Sequence, residues 1–335
     1  MHTGNKYSAF EIYLWTLKPT AIIVLICSIP TTLYHFDITF EYIPWQPIAL
    51  LGTALSFIVG FKNNASYGRI WEARQIYGAI VNDSRSFGYT VRDALGLKHS
   101  GAVQRLFYRH FAWLTAMRFQ LREPRAWENM NRSNNRRYRN SHYSVPEWGS
   151  KLEVELEKYL NGEELQYVLS KKNRATQLMA LQSKALAKMR ADGTINDFQW
   201  ESLQAFLVRL TESQGKAERI KNFPYPRNFA SVTTYLMLIF VVLLPFGLLK
   251  EFNALGEGTS FEGYSIWLNI PVCSIVAWVF FTLDEVGESS VNPFEGNAND
   301  VPITQISRTI EIDMRDMLDE TDLPAPITPK NNIVL

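Results

Sequence analysis

The chain has 335 residues, 47% of them hydrophobic, and a formal net charge of +1. That balance gives no reason to expect nucleic acid as a partner, and a mean hydropathy of −0.11 looks soluble only because it averages segregated segments. Cys27 and Cys273 both sit in apolar runs and read as small buried hydrophobes, so neither a disulfide nor a cysteine metal site is expected. The five histidines show no ligand spacing, and no cofactor is expected. The opening stretch, MHTGNKYSAFEIYLW, lacks the basic region, apolar run and cleavage site of a secretory signal.

In chain order, Tyr13 and Trp15 suit a membrane interface, and Thr16 to about Leu33 forms the first spanning candidate, with Pro30 marking a kink or the exit. An acidic link without Lys or Arg follows at 34–44. Pro47 to Phe61 is then uncharged, but about 15 residues give only ~22 Å of helix against a ~30 Å hydrocarbon core. No proline or paired glycine stops it, and Arg69, Trp71, Glu72 and Arg74 continue at helical spacing. The expectation is a helix that leaves the membrane and carries on in the cytosol. Thr53, Phe57 and Phe61 recur at i, i+4 and i+8 on one face. Gly52 and Gly60 lie on a neighbouring face, where small residues let helices approach. Bundled with copies of itself, such a helix would ring a narrow apolar hole; ordinary core packing is the other reading of the stripe.

Residues 62–228 hold every Lys and Arg except Lys6, Lys18, Lys250, Arg308, Arg315 and Lys330. Apolar residues recur there at helical spacing, as in Leu106, Phe107, Leu114 and Met117, or Leu203, Phe206, Leu207 and Leu210. The Asn/Arg/Ser-rich stretch 129–144 reads as an exposed, mobile loop. In TINDFQWESLQAF, Asn196 or Asp197 reads as a helix cap with Glu201 in the first turn. Phe229–Leu249 and Tyr264–Leu283 are two further uncharged spans, containing Pro245 and Pro271. From Asp284 the tail is polar, with one amphipathic helix (ITQISRTIEIDMRDML) and a Pro-rich extended end.

Lys6, Lys18, Lys62, Arg69 and Arg227 flank one side of the spans, which places both termini and the helical section in the cytoplasm. The division is then 1–61 (N-terminal segment and transmembrane helices 1–2), 62–228 (cytosolic helical domain), 229–283 (transmembrane helices 3–4) and 284–335 (cytosolic tail). No phosphate-cradling glycine loop, HExxH, nucleophile elbow or Cys-pair motif is present, so an enzyme is not expected.

The runs GFKNNASYGRIWEARQIYGAIVNDSR (60–85), FAWLTAMRFQLR (111–122), LSKKNRATQLMALQS (169–183), INDFQWESL (195–203), ERIKNFPYPRNFA (218–230) and VNPFEGNANDVPITQISRTIEIDMRDML (291–318) resemble the bestrophin family, in particular its prokaryotic branch. The resemblance implies an all-α integral membrane protein, four transmembrane helices with a helical cytosolic domain, assembled as a homopentamer around a central pore in the bacterial inner membrane. Its partners would be small inorganic ions, the lipid bilayer and copies of itself. Matched on the Gly60-Phe61 pair, the family's pore neck falls at Thr53, Phe57 and Phe61. The second, cytosolic constriction falls at Ile195 or Gln199.

Animal members bind calcium through acids after an Asn-Pro-Phe motif. Here that segment reads Asn292-Pro293-Phe294-Glu295-Gly296-Asn297-Ala298-Asn299-Asp300, which leaves Asn292 and Asp300 as a clasp remnant. With most acids replaced, a tight turn is the competing reading and no metal is expected. Two aromatic neck positions lean the selectivity toward chloride and other anions, with monovalent cations as the alternative. A non-conducting membrane-anchored scaffold, its cytosolic helices binding protein partners, is the rival function. A carrier would want intramembrane charges or inverted repeats, and neither is visible.

Overall fold

The computed structural model describes residues 1–36, 38 and 43–335, so Asp37 and Glu41 of the first acidic link lie outside the described residues. Among the described residues the chain is helical, without strands. Its α-helices are α1 (Ala9–His35), α2 (Trp45–Leu95), α3 (Ser100–Arg122), α4 (Ser133–His142), α5 (Pro146–Gly149), α6 (Leu152–Leu156), α7 (Gly162–Leu169), α8 (Arg174–Ala191), α9 (Asp197–Asn222), α10 (Arg227–Ala254), α11 (Asn269–Ser289) and α12 (Ile303–Asp316). Four helical stretches, Ala9–His35, Trp45–Leu95, Asp197–Ala254 and Ser265–Ser289, each contain a window long and apolar enough to cross a membrane.

Local chemistry sets the boundaries. Ser8 and Glu11 close a capping box that starts α1 well before Thr16, and α1 runs through Pro30 to His35, so Pro30 is not the exit. Asn196 is the cap of α9, and its partner is Gln199, three residues on, in place of Glu201. Pro245 lies inside α10, whereas Pro271 is the third residue of α11, where first-turn amides need no helical acceptor.

The chain divides into two compact units, one of residues 5–68 and 224–291, the other of 1–4, 69–223 and 292–335. In the first, Ile23, Cys27, Leu55, Val59, Phe240, Cys273 and Ala277 belong to one buried cluster. Association in lipid depends on close packing and polar contacts. Gly52 lies against the Phe240 ring, where an added Cβ would stand 2.8 Å from Cε2. The fully buried Asn269 amide donates to the Thr31 hydroxyl (3.0 Å) and to the Pro245 carbonyl (2.9 Å).

In the second unit α3 is the central helix. His110 to Arg118 is buried at every position, the mark of a helix packed on all sides. Trp113 donates its indole N–H to Gln214 Oε1 at 2.8 Å, and α12 turns Ile303, Ser307, Ile310 and Met314 inward. The Asn/Arg-rich stretch departs from its expected form. It contains α4, and Asn129, Met130, Asn135 and Tyr143 are buried, the last packed with Ile333 and Leu335 of the tail. Tyr138 stacks on His142 with centroids 4.2 Å apart, and the Asn135 amide holds the Asn129 carbonyl. The polar composition hid a helix that buries amides by hydrogen-bonding them.

His110 is wholly buried between the Phe87 and Trp113 rings, with Nε2 2.9 Å from Ser84 Oγ. Burial lowers its pKa to about 3, so it folds neutral. A base depressed on folding contributes stability that is complete above its unfolded pKa and lost as pH falls toward the folded one. The midpoint of thermal unfolding should therefore drop between about pH 6.5 and pH 3, and His110→Gln should flatten that limb.

Candidate functional site

Along the membrane half of α2 the buried positions are Ile48, Gly52, Leu55, Val59 and Lys62, alternating steps of four and three. That stripe faces the rest of its unit, and the opposite face is exposed. Phe57 is 64% exposed and Phe61 72%, and Thr53 is exposed with them. The three residues named from spacing thus share one uncovered face. Two more join them: Leu50, 73% exposed and seven residues before Phe57, and Asn64, three after Phe61. Neither was singled out from sequence, though the seven-residue spacing of Leu50, Phe57 and Asn64 carried the signal. Gly60 opens on the same side with no atom near its missing Cβ, while Gly52 belongs to the buried stripe.

Thr53 donates its hydroxyl proton to the Ala49 carbonyl of its own helix, 2.9 Å away. It therefore presents lone pairs outward and has no proton left for an anion. Any attraction for anions on this face would come from the positive edges of the phenylalanine rings.

The cytosolic candidates fare differently. Ile195 is 2% exposed and belongs to the core of its unit. Gln199 accepts from the Asn196 amide at 2.9 Å and donates to the Ala94 carbonyl at 3.4 Å, so its ends are engaged in capping and bracing. Between them, Phe198 projects from the first turn of α9 and is 84% exposed. An apolar ring left bare beside a helix cap was passed over in sequence because capping alone accounted for the segment.

The segment 292–300 is packed inside its unit, with Glu295 and Asp300 fully buried. Asp300 Oδ2 accepts from the Gly296 and Asn297 amides at 2.7 and 2.9 Å, and Arg122 Nη1 stands 3.5 Å away. Glu295 Oε2 accepts from the Asn129 amide (2.9 Å) and from the Asn292 side chain (3.2 Å). Burial raises Asp300 to about 6 despite the pull of Arg122, and burial with the Asp300 charge raises Glu295 well above the carboxylate range. Calcium needs six to eight oxygen ligands, mostly ionised. Glu295 Oε2 and Asp300 Oδ2 already face amides and a guanidinium, which leaves only Glu295 Oε1 and Asp300 Oδ1 of these carboxylates without a hydrogen-bond partner, so the residues present do not fit a calcium clasp. Calorimetry at neutral pH should show no micromolar calcium binding to the assembled protein; tight binding abolished by Asp300→Ala would reverse this.

The chain matches the family model described as bacterial/fungal bestrophin protein over residues 10–316. It is 28% identical over 302 residues to the voltage-dependent anion channel-forming protein YneE of Escherichia coli K12, covering 90% of this chain and 84% of that one. A protein of the same description from Ralstonia nicotianae, RSc3414, is 27% identical over 282 residues, covering 83% and 78%. In fold the chain is similar to a crystal structure of a bacterial bestrophin homolog from Klebsiella pneumoniae, with a TM-score of 0.76 at 21% identity, covering 91% of this chain and 99% of that one. The helical blocks, the buried segment after the last span and the match over nearly the whole length agree: the chain belongs to the bestrophin family, in its bacterial and fungal branch.

Proposed function

We propose that the chain is one subunit of a homopentameric ion channel of the bacterial inner membrane, multi-pass with both termini cytoplasmic. One observation carries this reading. Thr53, Phe57 and Phe61 form an apolar ladder on the face of α2 that its own chain leaves uncovered. Five such faces around an axis make a narrow neck whose phenyl rings exclude water, and ions cross when the ring widens. The relatives named as anion channel-forming support anions as cargo, and ring edges turned to the axis supply the partial positive charge. A second apolar ring in the cytosolic part is assigned to Phe198, in place of Ile195 and Gln199, because it alone of the three presents a large bare side chain.

The rival scaffold would use the Asn/Arg-rich stretch and the Pro-rich tail as docking segments. The former is not a free loop: it contains α4, held through the buried Asn135 and followed by the buried Tyr143.

Purified protein in planar bilayers under a salt gradient tests the proposal. Discrete currents whose reversal potential follows chloride are expected, and reversal following the cation would assign cation selectivity. Native mass measurement in detergent should give five copies. A monomer or dimer, or membranes that stay silent, would end the channel reading.

A further inference from the structure

The charged group nearest the phenyl ladder is buried. Lys62 follows Phe61, its side chain is 2% exposed, and Nζ lies 2.8 Å from Asp284 Oδ1 and 2.8 Å from Glu288 Oε2. The two carboxylates stand one turn apart on α11, and Glu288 also faces Arg227 at the start of α10, 3.9 Å away. One residue on, the Asn63 amide donates to the Leu283 carbonyl at 3.0 Å. Gly287 admits that side chain, since an added Cβ would press on the Asn63 carboxamide, 3.1 Å from its Cγ.

From Trp45 to Phe61, Thr53 and Ser56 bond back to their own helix, and packing against the neighbours is apolar. Apolar contact resists separation but is non-directional, so it fixes the rotation of a helix poorly. Charge-assisted hydrogen bonds are directional. Lys62 and Asn63 are therefore the directional contacts nearest the ladder that set the azimuth of the membrane half of α2, ahead of Arg69, which donates to the Ile220 carbonyl at 2.8 Å farther along the helix. At about 100° per residue, the directions of Phe61 and Phe57 follow from that of Lys62.

We propose that Lys62, clasped by Asp284 and Glu288, is a positioning residue that sets the rotation of the neck helix and so the closure of the Phe57 and Phe61 rings. This rests on reading those rings as the neck. The test measures rotation and current separately. Phe61→Cys provides a thiol whose modification by a water-soluble methanethiosulfonate is followed by mass, against Cys27 and Cys273, which are both 0% exposed. Adding Lys62→Met should change that modification rate by about fivefold or more, as expected for coupling between two elements. Gly287→Ala, which displaces Asn63, should change it as well. In Phe61-containing channels the same two substitutions should shift open probability while the assembled mass stays that of the parent. Rates within about twofold of the parent in both variants, with assembly intact, would overturn the proposal. A changed rate with unchanged open probability would support the positioning role and instead sink the reading of these rings as the neck. If Lys62→Met does not assemble, Glu288→Gln, which leaves Lys62 one carboxylate, gives the same readout.

Discussion

Phe57→Ala and Phe61→Ala channels are expected to conduct at least about fivefold more than the parent, equivalent to about 1 kcal/mol taken off the permeation barrier. Each substitution removes a phenyl ring from every subunit at once, so the proposed fivefold assembly would lose five rings at one level. The hole widens and its wall becomes less able to expel water. Burial explains why the protein should survive the change. A core Phe→Ala costs about 3–5 kcal/mol, but these side chains are 64% and 72% exposed in the protomer, and only the packed remainder is lost. Trp71→Ala is the control. It removes a larger aromatic ring from the polar continuation of α2, 51% exposed, and should weaken assembly without raising unit conductance. Thr53→Ala removes outward-facing oxygen lone pairs and little volume, so it should change ion preference more than rate. Single-channel recording of the four variants beside the parent reads all of this. If both Phe variants assemble and conduct no more than the parent, the barrier lies elsewhere, and Phe198 becomes the first residue to truncate.

The apolar helices were legible because their signal is local. Uninterrupted apolar length marks a span whatever surrounds it, and α10 contains the run read over Phe229–Leu249, whereas α11 starts at Asn269, inside the run read over Tyr264–Leu283, whose first residues form a 3-10 turn at Ser265–Leu268. The Asn/Arg-rich stretch was not legible, because composition treats Asn as a loop former. The backbone N–H of the buried Asn129 donates to Glu295, 166 residues away, a partner that sequence distance conceals, and the buried Asn135 side chain holds the Asn129 carbonyl six residues back.

For the candidate site the same division holds. Four-residue spacing placed Thr53, Phe57 and Phe61 on one face, since a helix wheel needs no tertiary information. Which way that face looks depends on Gly52 meeting Phe240, and Lys62 meeting Asp284, 222 residues away, neither of which is written near α2. For the second constriction the resemblance left Ile195 or Gln199 open, and helix spacing could not show that packing draws Ile195 into the core and leaves Phe198 outside.

Arg122→Met should lower the midpoint of thermal unfolding by about 6–20 °C, corresponding to the ~3–5 kcal/mol lost when one partner of a buried ion pair is removed. Arg122 has a fully buried side chain. Nε lies 3.8 Å from Glu147 Oε2, Nη1 lies 3.5 Å from Asp300 Oδ2, and Nη2 donates to the Val301 carbonyl at 3.4 Å. Methionine fills much of the volume but leaves two buried carboxylates without this cation. Glu147 keeps the Arg118 guanidinium at 2.6 Å and the Thr304 hydroxyl at 2.6 Å, so its ionised form survives. Burial pushes its pKa up, yet Arg122, Arg118 and Thr304 outweigh that and hold it below the usual carboxylate range. Asp300 is the exposed flank of the network in energetic terms. Burial already raises it to about 6 with Arg122 present, and without Arg122 it must rise further. A carboxyl raised on folding contributes stability below its unfolded pKa and loses it as pH climbs through the folded value. The deficit of Arg122→Met should therefore be largest near pH 8 and shrink as pH falls toward 6, because Asp300 of the variant takes up its proton above 6 and the uncompensated charge disappears. Adding Asp300→Asn should restore much of the lost stability at pH 8 and remove that pH dependence. Unfolding scans of the parent, Arg122→Met and the double variant at pH 6 and 8 decide the matter. A deficit that is equal at both pH values would assign the loss to packing, with the Arg122–Asp300 pair contributing little.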